Sequence, residues 1–239
     1  GGPTIDAQGY LYGTTNVGGA NGYGTIYRVG SQTGDFTTLA DFNPSTSYGF
    51  GDVALDAQGN IYGTTTISGG GGQVFKLDAQ TGALTSLATI TDTGGAPLAK
   101  VTLDAAGNIY GTTVGGGANG YGSVYRIDAQ TGALSTVYSM TSTDVAARGA
   151  VTFDAQGNLY GTTNWGVYKL DTAGQFSTLA DLGYGNWTHS GVTLDSYGNL
   201  YFTTTGTGLG GDFGTVRRID GATGVLETLF AFDGVNGRN

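Results

Sequence analysis

The chain has 239 residues, 47 of them glycine, with no cysteine, three prolines, 11% charged residues and a formal net charge of −9. The glycines follow no three-residue period, which excludes collagen, and the missing cysteines exclude disulfides, thiolate metal sites and a cysteine nucleophile. An acidic chain lacks the basic surface that nucleic acid demands, and no apolar run of about 18 residues exists for direct membrane insertion as a helix.

The chain opens on Gly1-Gly2-Pro3, as expected of a processed chain or an excerpt. The first recurring segment follows at once, from Ile5-Asp6 to Gly13-Thr14-Thr15, and it returns from Leu55, Leu103, Phe153 and Leu194. Its anchoring aspartates, Asp6, Asp56, Asp104, Asp154 and Asp195, are spaced by 50, 48, 50 and 41 residues. A second segment trails each first one: Val74-Phe75-Lys76-Leu77-Asp78 recurs from Val124, and more loosely from Ile26, Val167 and Val216. In the third unit, alternation and β-branched or aromatic content predict strands over 101–103, 108–113, 123–128 and 133–139. The joints Asp-Ala-Gln-Gly-Asn and Asp-Ala-Gln-Thr-Gly have the chemistry of hairpin turns, and no stretch has helical periodicity.

Five units of four antiparallel strands predict an all-β, five-bladed β-propeller. The whole chain, 1–239, is expected to be one domain with blades near 1–46, 47–95, 96–145, 146–186 and 187–239. Thirteen residues separate Phe42 from Asp56, Ile90 from Asp104 and Met140 from Asp154, and twelve separate Leu182 from Asp195. Seven residues after Phe232 and five before Asp6 also make twelve, so the ends are expected to be one connector cut in a closed ring; a cut from a longer array leaves the same lengths.

The composite of Ile109-Tyr110-Gly111-Thr112-Thr113, Gly116-Gly117-Ala118-Asn119-Gly120-Tyr121-Gly122 and Val124-Tyr125-Arg126-Ile127-Asp128 resembles the GloVer-type tandem repeat of bacterial secreted and surface-anchored proteins. The resemblance spans essentially the whole chain and implies a propeller-like repeat domain, extracellular or at the cell surface. It brings no established catalytic residue set.

Most marked residues read as scaffold. One aspartate per turn suits turn capping better than calcium, which wants six to eight oxygens, and no metal or cofactor is expected. Arg28, Lys76, Arg126, Lys169 and Arg218 form a repeated ring of solvent-facing or paired charges. Tyr12, Tyr62, Tyr110, Tyr160 and Tyr201 suit packing between blades, and the glycines after them suit close approach of neighbouring backbone.

Departures from the repeat carry the functional signal. Both tryptophans and the only histidine fall in loops expected to share one face near the fourth and fifth blades: Trp165 in a shortened loop, then Tyr184, Asn186, Trp187 and His189 in one connector. They are the candidate ligand-binding residues, as stacking platforms for sugar rings or interface anchors; Trp165 equally suits filling the space its short loop leaves. A carboxylate beside His189, from Asp181, Asp195 or Asp212, is the one catalytic arrangement available. The expected function is a non-enzymatic structural or adhesive scaffold, partnering itself, cell-surface or matrix components. A carbohydrate-binding propeller is the alternative, and a polysaccharide-cleaving enzyme a third.

Overall fold

The computed structural model describes residues 2–45, 48–67, 70–91, 95–183, 186–205 and 213–233, apart from the side chains at 48, 50 and 51. Every regular element among them is a strand, in five antiparallel sheets of four, each in chain order from the innermost strand outward. Blade one holds β1 (Thr4–Ile5), β2 (Tyr10–Thr14), β3 (Thr25–Gly30) and β4 (Phe36–Asp41); blade two holds β5 (Tyr48–Leu55), β6 (Ile61–Thr66), β7 (Gly72–Leu77) and β8 (Leu84–Ile90). Blade three holds β9 (Thr102–Leu103), β10 (Ile109–Thr113), β11 (Ser123–Ile127) and β12 (Leu134–Ser139); blade four holds β13 (Thr152–Phe153), β14 (Leu159–Thr162), β15 (Gly166–Leu170) and β16 (Phe176–Asp181). Blade five holds β17 (Thr193–Leu194), β18 (Leu200–Thr204), β19 (Thr215–Ile219) and β20 (Leu226–Ala231). This is the five-bladed β-propeller that the repeats predict.

Hydrogen bonding explains why the repeat motif has its composition. The aspartate opening each first turn accepts backbone N–H groups: Asp56 Oδ1 takes those of Gln58 and Asn60, and its Oδ2 takes the Tyr62 hydroxyl at 2.9 Å. Asn60 donates to the same carboxylate and accepts from Ala79 N, tying the first turn to the second. Gly59 has φ +82° in that first turn, a conformation glycine adopts freely. In Gly-Thr-Thr each residue has its own task. The glycine lies under an aromatic ring of the adjacent strand, and a methyl at Gly63 would sit 2.5 Å from Phe75 Cζ. The first threonine reaches the next blade, as Thr112 Oγ1 donates to Gly149 O and Thr162 Oγ1 to Ser190 O. The second closes its own hairpin, as Thr113 Oγ1 meets Ser123 Oγ at 3.0 Å. The glycine therefore admits a side chain, not the neighbouring backbone that its place in the sequence suggests.

Third and fourth strands slip by one residue in every blade, at Leu39, Leu87, Val137, Leu179 and Leu229. Such a bulge re-aims a side chain and tightens the twist. Leu39, Leu87, Val137 and Leu179 pack against the next blade's core. Four apolar cores result, each shared by consecutive blades. Ile26 and Phe42 meet Val53, Ile61 and Phe75; Val74 and Ile90 meet Val101, Ile109 and Tyr125. Val124 and Met140 meet Val151, Leu159 and Tyr168; Val167 and Ala180 meet Val192, Leu200 and Phe202. Tyr12, Tyr62, Tyr110 and Tyr160 pack against these four cores, the inter-blade role their repetition predicts.

Among the described residues no such core joins blade five to blade one. Phe230 is 46% and Leu229 49% exposed on the outgoing face of blade five, and Ile5 is 59% exposed on the incoming face of blade one. Of the connector expected to close the ring, residues 1 and 234–239 lie outside the described residues. Matching connector lengths show only that both ends fall at one point of the repeat, which an open array also satisfies.

Candidate functional site

The innermost strands converge on a central cleft of about 870 Å³. Its wall takes Gly2 and Pro3 from blade one, Asp52 from blade two, Lys100 from blade three, Arg148 from blade four and His189 to Gly191 from blade five. Blade one also contributes Thr14, Asn16 and Tyr27, because its incoming face is not covered by a preceding blade among the described residues.

The cations of the cleft differ from the repeated ring. Lys76, Arg126 and Arg218 pair with Asp78, Asp128 and Asp220, while Arg28 lies 4.4 Å over Tyr10 and Lys169 5.6 Å over Tyr160. That ring is structural, as its repetition predicts. Lys100 and Arg148 stand where the repeat asks for no charge of that sign: the positions equivalent to Lys100 hold Gly2, Asp52, Ala150 and Gly191. Lys100 Nζ donates to Thr4 Oγ1 at 3.1 Å, and Arg148 Nε donates to Asn164 Oδ1 at 3.1 Å. Each tether uses one donor, leaving further N–H groups on both side chains for a guest.

His189 follows Arg148 around the wall. Burial lowers its pKa and the nearby Arg148 charge lowers it further, so the imidazole is neutral at pH 7. The indole of Trp187 stands edge to face with it, ring centres 5.8 Å apart. Arg148 thus stands close to a neutral imidazole backed by an indole, and Lys100 lines the same cleft, inside a chain whose net charge is −9.

The sequence-predicted residues do not form one site. Trp187 and His189 stay together, with only His189 lining the cleft. Trp165 lines a second, smaller hollow with Asp144, Phe176 and Asp181. Asn186 is buried and folds its own loop, donating from Nδ2 to Leu182 O at 2.7 Å. Tyr184 and Asp212 lie outside the described residues. Asp181 accepts from Gly183 N, and Asp195 is held in its turn by Asn199 and Tyr201. Sequence reasoning missed Lys100 and Arg148. Aligning the residues just before each repeat aspartate would have exposed Lys100 against Gly2, Asp52, Ala150 and Gly191, and Arg148 against Phe50, Leu98 and His189.

The family model described as Gloeobacter/Verrucomicrobia repeat matches residues 1–169 and 104–239, so the two matches together span the chain. No curated protein matches the sequence. Among solved structures, the chain is similar to a streptogramin B lyase, with TM-score 0.69 and 17% identity over 98% of this chain and 69% of that one. It is similar to a chain of a nidogen/laminin complex, with TM-score 0.67 and 17% identity over 98% of this chain and 80% of that one. It is also similar to a catalytically inactive histidine-to-alanine variant of virginiamycin B lyase from Staphylococcus aureus with Quinupristin, with TM-score 0.54 and 14% identity over 95% and 82% of the respective chains. At these identities the likeness establishes the propeller fold alone.

Proposed function

We propose, for a chain that belongs to the Gloeobacter/Verrucomicrobia repeat family, a binding role without chemistry: a propeller scaffold that holds an acidic saccharide in its central cleft. The observation that carries this reading is that Lys100 and Arg148, two cations that break the repeat, line the same central cleft as His189. Guanidinium and ammonium groups bind carboxylates through charge-assisted hydrogen bonds, while Thr14, Asn16 and Ser190 offer partners to hydroxyls. Trp187 supports the imidazole edge-on. This keeps the carbohydrate-binding role that the loop aromatics suggest and moves its centre from Trp165 to the axis. An extracellular or surface location suits such a ligand and accords with the GloVer-type resemblance.

Titration calorimetry with oligogalacturonate and with a neutral oligosaccharide of equal length tests the proposal. Binding of the acidic probe should weaken about 10- to 100-fold in Lys100→Ala and in Arg148→Ala, and fall with added salt. Equal binding of both probes, or unchanged affinity in both variants, would sink it.

A second reading draws on the neutral His189 at the cleft wall and on the lyases of similar fold. There the imidazole takes the proton from the carbon next to a carboxylate anchored by Arg148. The glycosidic C–O bond on the adjacent carbon breaks as the C=C bond forms, and the leaving oxygen takes a proton from water. Appearance of unsaturated products at 235 nm, about the wavelength where conjugated enoates absorb, and their loss in His189→Ala would favour it over simple binding.

A further inference from the structure

The exposed apolar residues of the seam are not scattered. Each has a counterpart that is covered in the other blades. Val216 is partly open where Ile26, Val74, Val124 and Val167 are fully buried. Leu229 occupies the bulge position whose equivalents Leu39, Leu87, Val137 and Leu179 pack into the next blade. On the other side, Ile5 stands where Leu55, Leu103, Phe153 and Leu194 pack against the preceding blade. Leu11 is half-buried where Ile61, Ile109, Leu159 and Leu200 are buried.

We propose that the outgoing face of blade five receives the incoming face of blade one from a second copy of this chain, head to tail. The occupant follows from continuity with the four interfaces inside the chain. Each joins one outgoing face to one incoming face, and the uncovered pair at the seam has the same two chemistries. A single chain therefore carries both halves of a fifth interface of that type. Contiguous apolar surface of this kind marks an association site, and a contact between unlike faces propagates or closes according to its rotation. The polar part of the match is present too. In blades two, three and four a threonine of the second strand donates to a carbonyl just ahead of the next blade's inner strand, whereas Thr203 of blade five bonds Ser190 within its own blade.

Light-scattering mass after size exclusion, across a hundredfold range of concentration, should show species that are multiples of 24.2 kDa. Two variants make the test specific to the unlike faces: Leu229→Lys with Phe230→Lys on the outgoing side, and Ile5→Lys with Phe36→Lys on the incoming side, where Phe36 is equivalent to Leu84 and Phe176, which pack against the core shared with the preceding blade. All four positions are exposed, so the blades should fold as in the parent, which circular dichroism checks. Each variant alone should lose association by about 100-fold or more, because two apolar contacts are replaced by charges. Each still offers one intact face, so an equimolar mixture should give a 1:1 dimer and nothing larger. A parent chain that stays at 24.2 kDa throughout, or a mixture of folded variants that remains monomeric, would overturn the proposal. The saccharide assay is read independently, since neither pair of substitutions touches Lys100 or Arg148.

Discussion

The glycine of Gly-Thr-Thr and the aromatic residue opposite it work as one unit. Gly13 pairs with Tyr27, Gly63 with Phe75, Gly111 with Tyr125 and Gly161 with Tyr168. In blade five the pair is inverted: Phe202 stands in the glycine position, opposite Arg217. Phe202 is buried and supplies from the second strand the ring that elsewhere comes from the third. The inversion predicts strong coupling. Phe202→Gly alone should cost about 3–5 kcal/mol, the range for losing a core aromatic. Arg217→Tyr alone should also destabilise, because two rings then compete for one space. Together they rebuild the pattern of the other blades, and urea unfolding should return a favourable interaction energy of at least about 1 kcal/mol. Additive losses would show that the inversion is neutral drift in packing.

Within a blade, the first turn and the second strand are joined by the aspartate–tyrosine bond. The tyrosine hydroxyl donates at 2.9 Å in Asp6–Tyr12 and Asp56–Tyr62, and at 3.0 Å in Asp154–Tyr160 and Asp195–Tyr201. Burial and then the neighbouring carboxylate push Tyr62 and Tyr160 up to about 12 from an ordinary value of 10.0. Burial by itself raises Asp56 and Asp154, but hydrogen bonds from asparagine, backbone and tyrosine outweigh it and hold both below 3.8. The signs give the stability window. A phenol whose pKa is raised on folding contributes fully below pH 10, and that contribution disappears as pH climbs towards 12. A carboxyl whose pKa is lowered contributes above 3.8 and loses its effect as pH falls through the folded value. Melting temperature against pH should therefore be flat from about 5 to 9 and fall at both ends. In Tyr62→Phe with Tyr160→Phe the alkaline fall should be shallower, which calorimetry at pH 9 and pH 11 measures. These elements were legible in advance: in blade three the predicted 108–113 and 123–128 became Ile109–Thr113 and Ser123–Ile127, because turn chemistry and alternation act locally. The cleft was less legible. Lys100 and Arg148 acquire meaning only when five inner strands meet, and Asn186 looked like a ligand group because sequence does not reveal which loop amide turns inward.

Among the described residues, blades two, three and four each share apolar cores with two neighbours, and blades one and five each with one. Stability in such an array is close to a sum of unit and nearest-neighbour contributions. Native-state hydrogen exchange should accordingly be slowest for amides of β6, β7, β10, β11, β14 and β15, and about tenfold or more faster for the matching amides of β2, β3, β18 and β19. Equal protection in all five blades would mean that the ends are held as firmly as the middle. The apolar seam thus gives the molecule the thermodynamics of a line instead of a circle. Among the described residues the two end blades share no apolar core, so they should open before the middle ones, and resistance to unfolding should rise with every unit added in series.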